Sequence, residues 1–385
     1  MTASPDLDLL LDTVEQLAAN AEQRLFRVEA PDGDLGTIDG LLADAATIGL
    51  LADPDSDTGR WGVWGRHVDT EGLGLSLAVL RRLGRVCAGL ATAVHAQGLG
   101  TLLLGPGGRP AGAREGGRLI AAFSPPFGTA LDPRTFGDGL HLVERNGLRL
   151  QGTARFALVA GTADLVVLAV RAGPGPDAGW AVLALLAGTT GLKLTPTGAR
   201  IGLRATGMVD VIADRVTIGP EALRHRGERA EQLLCTTMGC DWLGQAAITL
   251  GSAERAVDDA AAYAASRVQG GVPIAEHAAI RLLLGRAEHD LAVLAALLDR
   301  HVGTPLADLD PLTLLRWGVD ARLAAGEHGG RAVTDALQTL GGYGYMDEYG
   351  LSKRLRDVAA LRVLHGGPDQ LLLLRHSLDA AVATP

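Results

Sequence analysis

Apolar residues recur at the spacing of one helix face over most of the stretch from Leu7 to Leu104. Leu9, Leu10, Val14, Leu17 and Ala18 form one such stripe. Leu77, Leu80, Leu83, Val86 and Leu90 form another within Ser76 to Val94. Between them the segment Asp53 to Gly65, rich in Gly, Asp, Pro and Trp, predicts a loop. A second loop, from Gly105-Pro106-Gly107-Gly108 to Gly117, closes this first helical unit, expected over residues 1–117. The pattern then changes. From Leu119 to about Arg226 short apolar runs alternate with Gly, Pro, Asp and Asn, as in Leu148-Arg149-Leu150 after the Asn146-Gly147 turn, Asp164 to Val170, and Trp180 to Leu186. That predicts a β-unit of short strands over residues 118–226. Helical periodicity returns from Glu228 to the end, residues 227–385, with Leu243, Ala246, Ala247, Leu250 and Ala253, then Ala279 to His301, then Leu312 to Leu340. Helices, then strands, then helices is an α+β order and not the alternation of a doubly wound sheet.

Composition narrows the class. The chain has 385 residues, 47% hydrophobic and 21% charged, with a net charge of -9. Length and hydrophobic content suit a globular protein with a large core. The acidic balance speaks against nonspecific nucleic-acid binding, which needs a basic face. Lys193 and Lys353 are its only lysines, unlike the lysine-rich face of a membrane-surface helix. No run reaches the roughly 20 apolar residues that span a bilayer. Cys87, Cys235 and Cys240 are too few and too scattered for a disulfide framework or a zinc site, so no metal is expected and a reducing cytoplasm is the expected setting.

Several stretches carry chemistry. Near the C-terminus stand Gln338-Thr339-Leu340-Gly341-Gly342-Tyr343-Gly344-Tyr345, Arg356-Asp357 and His365-Gly366-Gly367. Earlier come Tyr263-Ala264-Ala265-Ser266-Arg267-Val268-Gln269-Gly270-Gly271-Val272-Pro273-Ile274 and, in the β-unit, Gly152-Thr153, Ala163-Asp164-Leu165-Val166-Val167, Gly202-Leu203-Arg204-Ala205-Thr206 and Val216-Thr217-Ile218-Gly219-Pro220. Taken in this order they resemble the signature segments of acyl-CoA dehydrogenases, over nearly the whole chain and most weakly before Gly72. The resemblance implies an N-terminal helical domain, a middle β-barrel or sandwich domain and a C-terminal four-helix bundle. It also implies FAD as cofactor and an acyl thioester, on CoA or an acyl carrier protein, as substrate. In the family the ADP half of FAD lies at a subunit interface, which implies a homodimer or homotetramer.

The two ends of the cofactor read differently. At the ADP end Arg267 and Gln269 match the family's R-x-Q segment, and a planar guanidinium suits a pyrophosphate because it can pair two oxygens. Gln338, Gly341 and Gly342 match a Q-x-x-G-G turn, where missing side chains let backbone approach phosphate, and His277 stands where the family often places a histidine near FAD. At the ring end Phe123 replaces a threonine of the T-E-x-G-A-G-S-D segment, which runs here through Thr129. Phe156 and Leu158 replace the tryptophan and threonine of W-I-T. Hydroxyls that would hydrogen-bond a flavin are thereby lost, while Phe156 still offers an aromatic face.

The base is the largest departure. Where most of the family has a catalytic glutamate this chain has His365, and a histidine can act as a base near neutral pH. A branch that includes isovaleryl-CoA dehydrogenases places its glutamate on the first long helix of the bundle, and that position corresponds to Asp241, with Trp242 in place of an arginine. Both residues stand as candidates. The resemblance implies an FAD-dependent oxidoreductase with an unusual substrate, as in specialised metabolism. Open alternatives are a flavin monooxygenase, a redox-silent acid/base enzyme such as a cyclase or isomerase, and a non-catalytic paralogue.

Overall fold

The computed structural model describes residues 12–21, 35–53, 58–105, 110, 113, 119–123, 139–159, 163–175 and 178–383. The N-terminal part is helical: α1 (12–21), α2 (Leu35–Thr47), α3 (Val68–Glu71), α4 (Gly74–Val86) and α5 (Ala88–Leu104). The α5 sequence, AGLATAVHAQGLGTLLL, is almost wholly apolar, and all of it except Leu102 is buried. A helix apolar on every side belongs in the interior. Here α5 packs against α4, against the long bundle helix described below, and against strands of the middle unit. The segment expected as a loop over 53–65 holds a short 3-10 turn, Thr58–Trp61, and then dives inward, so that Val63 and Trp64 are buried.

Eight strands form one sheet among the described residues: β1 (Leu119–Phe123), β2 (His141–Glu144), β3 (Leu148–Val159), β4 (Leu165–Arg171), β5 (Trp180–Leu186), β6 (Leu192–Pro196), β7 (Gly207–Thr217) and β8 (Leu223–Arg226). Their order is β6-β7-β3-β1-β4-β5-β8, with β2 pairing with both β3 and β4. β1 runs parallel to β4, with Ile120 opposite Val166, and antiparallel to β3. Successive side chains on a strand point to opposite faces. On β4, Leu165, Val167 and Ala169 join the core shared with the helices, while Val166, Leu168 and Val170 fill a second core on the other face. β5 divides in the same way, with Trp180, Val182 and Ala184 against Ala181, Leu183 and Leu185. Burial on both faces is why these strands read as unbroken apolar runs.

β3 and β7 are not short. They span 12 and 11 residues, and register shifts between Leu150 and Gly152 and between Ala154 and Ala157 bend β3. Those irregularities break the alternation that would have marked one long strand.

The C-terminal part is built on α6 (Glu228–Ser266), a helix of 39 residues. After a small β9–β10 hairpin (Val268–Gln269, Val272–Pro273) come α7 (Ala278–Leu298), α8 (Pro311–Ala324), α9 (Gly330–Leu340), α10 (Leu351–Leu361) and α11 (Pro368–Ala383). One turn of wider, π-type helix, Ala325–Gly329, joins α8 to α9, so the apolar run read over Leu312 to Leu340 is one continuous helical rod. Asp310 caps α8 by accepting from the Thr313 backbone N–H at 2.8 Å, with Pro311 at the first helical position. The β-unit is tied to α10 through Asp357, which accepts from the Leu203 backbone N–H at 2.6 Å and from Lys353 Nζ at 2.7 Å. The chain is thus helical, then a sheet, then helical: a mixed α+β fold. No helix among the described residues is long and apolar enough to cross a membrane.

Candidate active site

Asp241 lies near the middle of the buried stretch of α6, and its side chain has no solvent exposure. Three donors converge on it. His365 Nδ1 lies 2.7 Å from Oδ2, His95 Nε2 lies 3.0 Å from Oδ1, and Gln245 Nε2 donates to Oδ1 at 2.9 Å. Gln245 follows Asp241 by four residues, one helical turn on, so the two share a face. On its other side Gln245 accepts from Arg322 Nε of α8 at 2.8 Å. A guanidinium only donates, so the Gln245 oxygen faces Arg322 and its amide N–H₂ faces Asp241.

The protons on both imidazoles follow from the same reasoning. The Trp64 indole Nε1 donates to His95 Nδ1 at 2.7 Å. Nδ1 is therefore the bare nitrogen, and Nε2 carries the proton given to Asp241. The carboxylate accepts only, so the Nδ1–H of His365 donates to it and Nε2 of His365 is the unprotonated nitrogen. Burial pushes the Asp241 carboxyl up, but the facing His365, in charge and hydrogen bond, and then His95 more than offset it. The carboxyl is held well below its ordinary range and stays ionised. Burial pulls Arg322 down to about 10, against the opposing pull of Asp241. Burial, with Asp241 and Asp69 adding to it, pushes the neighbouring Cys240 thiol far up, which leaves it inert as a nucleophile.

His365 is gripped twice by adjacent residues of α6. Asp241 holds its imidazole, and the Trp242 indole Nε1 donates to its carbonyl at 3.1 Å. Its backbone sits at φ 54°, the left-handed region that a non-glycine residue occupies only when its surroundings impose it. Only 8% of its side chain is exposed.

The candidates from the sequence fall into two separate groups. Asp241 and His365, expected as alternative bases, are one hydrogen-bonded pair. Asp241 does not face an open space, because it is fully buried and both oxygens are engaged. The second group gathers at the far end of α6. Arg267 follows the helix directly, is exposed, and stacks over the Tyr343 ring at 5.8 Å, which brings it to the Gly341–Gly342 turn. Gln269 lies in the hairpin, where its carbonyl accepts from His277 Nε2 at 3.1 Å. Gln338 is exposed near the end of α9, Gly341 has φ 58°, and nothing lies within 4 Å of where a Cβ would stand on Gly341 or Gly342.

At the third expected cluster, Phe123 ends β1, and Thr129 lies outside the described residues. Phe156 is 51% exposed at φ 60° on the bulge of β3, with its N–H donating to Asp210. Leu158 departs from expectation. It is fully buried in the core that β3 shares with the helices, so its side chain has no surface to give a ligand. The sequence reading missed His95, Trp64, Gln245 and Arg322. Gln245 was legible as the i+4 partner of Asp241, and His95 as the one ionisable group in an otherwise apolar helix. Trp64 and Arg322 carried no such signal.

The helix–sheet–helix order is the α+β fold of acyl-CoA dehydrogenases, and comparison with known proteins finds similarity to them. The model of the acyl-CoA dehydrogenase C-terminal domain matches residues 236–376. Cyclohex-1-ene-1-carbonyl-CoA dehydrogenase of Geobacter metallireducens is 29% identical over 313 residues, 77% of this chain and 80% of that protein. Butyryl-CoA dehydrogenase of Megasphaera elsdenii superposes with a TM-score of 0.80 at 18% identity, covering 99% of each chain. The prolyl acyl carrier protein oxidase AnaB superposes at 0.77 and 17%, covering 98% of this chain and 99% of its own. The C-terminal part of the chain thus matches the acyl-CoA dehydrogenase family's domain, and most of the chain is similar to an acyl-CoA dehydrogenase in sequence.

Proposed function

We propose that this protein is an FAD-dependent oxidoreductase acting on an acyl thioester, carried by CoA or an acyl carrier protein, and that His365 is its base with Asp241 as the group that orients it. The observation that carries the reading is the 2.7 Å contact between His365 Nδ1 and Asp241 Oδ2, at the two positions from which relatives deliver a glutamate. Asp241 fixes the tautomer and ring plane, and its buried charge stabilises the imidazolium that forms when Nε2 takes the α-proton of the thioester. FAD, when bound, supplies the acceptor for the hydride that leaves the β-carbon.

The residues at the ADP end suit that cofactor. Arg267 is exposed with its guanidinium beside the glycine turn, and open space lies over Gly341 and Gly342. Gln338, Gln269 and His277 frame the same end. Phe156 supplies an exposed ring for the flavin end, whereas the buried Leu158 supplies nothing. Asp241 and Ser266 are 25 residues apart on α6, about 38 Å along the axis at the α-helical rise. That exceeds the reach of a single dinucleotide, which supports a homo-oligomer in which Arg267 serves the partner's site.

The test is an absorbance titration with FAD followed by turnover of acyl-CoA and acyl-carrier thioesters. Uptake of FAD with substrate-dependent bleaching, abolished in His365→Ala, supports the reading. A protein that never takes up FAD overturns it. A redox-silent acid/base enzyme is the second reading, favoured by the absence of any hydroxyl at Phe156 and Leu158.

A further inference from the structure

We propose that Arg322 and Arg362 form a site for a carboxylate, which an acyl group bearing one at its far end would supply; this rests on the substrate being an acyl thioester and narrows its class.

Arg322, on α8, is 1% exposed. Its Nε donates to Gln245 Oε1 at 2.8 Å, while its buried Nη2 has no hydrogen-bond partner among the described residues. Burial lowers the guanidinium only to about 10, so it stays charged at neutral pH. Buried donors are almost always paired, and an open cationic donor in the interior costs more than a neutral one. The open Nη2 therefore calls for an acceptor from outside the chain.

A second guanidinium stands nearby. Arg362 directly follows α10 and is exposed. Gly326 lies in the π-type turn, four residues after Arg322. A Cβ on Gly326 would stand 3.0 Å from Arg362 Cγ and 3.6 Å from its Nε, so the stem of Arg362 runs across that turn. The charge of Arg362 works against that of Arg322, and Asp241 draws the other way. The carboxylates closest in sequence are already engaged: Asp320 accepts from Arg375 at 2.6 Å, and Glu327 faces Arg331 at 3.9 Å. Two guanidinium charges thus meet the charge of one carboxylate, Asp241, and like charges held close repel.

One further negative charge balances the pair. A monoanion fits that deficit better than a phosphate, which brings up to two. A guanidinium is a planar fork of donors that matches the two oxygens of a carboxylate. The placement suits the end of an acyl group. Gln245, which bridges Arg322 to Asp241, lies one turn of α6 beyond Asp241, about 6 Å at the α-helical rise. Asp241 in turn holds His365, so a short acyl chain links the region of the base to that of Arg322.

The experiment measures binding to the full chain by calorimetry. The probes are the pantetheine thioesters of pentanoate and of glutarate, which differ by a terminal methyl against a carboxylate, and free propionate. Pantetheine is the part that CoA and an acyl carrier protein share. The glutaryl thioester should bind roughly tenfold tighter or more, the worth of a hydrogen bond to a charged group. Arg322→Met and Arg362→Met should each remove that preference. Arg362 is exposed, so its variant decides if Arg322→Met does not fold. A glutaryl preference that survives in Arg362→Met overturns the proposal. Equal binding of the two thioesters, without binding of propionate, also overturns it and leaves the acyl-thioester reading standing. Propionate that binds the wild type and not the variants, with no preference between the thioesters, keeps the carboxylate site and removes the acyl group as its source. If neither thioester binds, the acyl-thioester reading falls, and binding or non-binding of propionate decides for or against the carboxylate site.

Discussion

His365 Nδ1 lies 2.7 Å from Asp241 Oδ2, across 124 residues of chain. Two positions to which the family resemblance assigns alternative catalytic carboxylates are here filled by residues that form one hydrogen-bonded pair. An acid that is fully buried and multiply hydrogen-bonded is a poor base. A histidine it holds in a fixed tautomer is a good one.

Asp241→Asn should keep the shape of the site while removing the charge that orients His365 and stabilises its protonated form. Turnover of an acyl thioester should fall by roughly 10²–10⁴-fold, the usual worth of a positioned acid–base group. The check is kcat measured at saturating substrate, with an unchanged circular dichroism spectrum as the control for folding.

Acid stability should depend on the same carboxyl. The folded protein holds Asp241 below its ordinary 3.8. The unfolded chain therefore binds that proton more readily, and the stability it contributes is full above that value and lost as pH falls further. Thermal unfolding should show Tm dropping as pH goes below about 4, and Asp241→Asn should be less stable at neutral pH with a flatter acid limb. An unchanged acid limb in the variant would show that other carboxyls set it.

Gly244→Ala should push His95 out of line, because the added methyl meets the ring carbon Cε1. Overpacking of this kind costs about 1–3 kcal/mol. Denaturant unfolding should report the loss, and the His95 signal in protein labelled with ¹⁵N-histidine should move with it.

Asp357→Ala should loosen the β-unit from the bundle. It leaves the buried Leu203 N–H and the Lys353 ammonium without the carboxylate that both now use. A lost partner for a buried donor costs about 1–3 kcal/mol. Proteolysis should then cut more readily near Leu203, whereas an unaltered cleavage pattern would place the anchoring elsewhere.

Arg267→Ala should weaken FAD binding by roughly 1.5–3 kcal/mol, the worth of a hydrogen bond to a charged group. A fluorescence titration of flavin into wild type and variant reads the difference directly. The effect should appear without any change in the Asp241–His365 pair, because Asp241 stands 25 residues before the end of α6 at Ser266.

What the sequence determined by itself was the local part. Local pattern is set by neighbours along the chain, so Leu77 to Val86 announced a helix and Trp180 to Leu186 a short strand, but the break at Cys87 that puts Leu90 on the next helix was not foreseen. The order of the signature segments placed Asp241 on the first long helix of the bundle, while the position of His365 between α10 and α11 came from the structure. Where a strand bends, as β3 does at Phe156, the period breaks and the sequence gives no warning of one long element. The rest depended on docking. Whether Leu158 faces a ligand or the core is decided by what packs over β3, and helices packed over it. The meeting of His95 with Asp241, 146 residues away, requires α5 and α6 to cross at the place where Gly244 lets an imidazole in. No spacing along the chain encodes that crossing, because it is the sum of every contact in a close-packed interior.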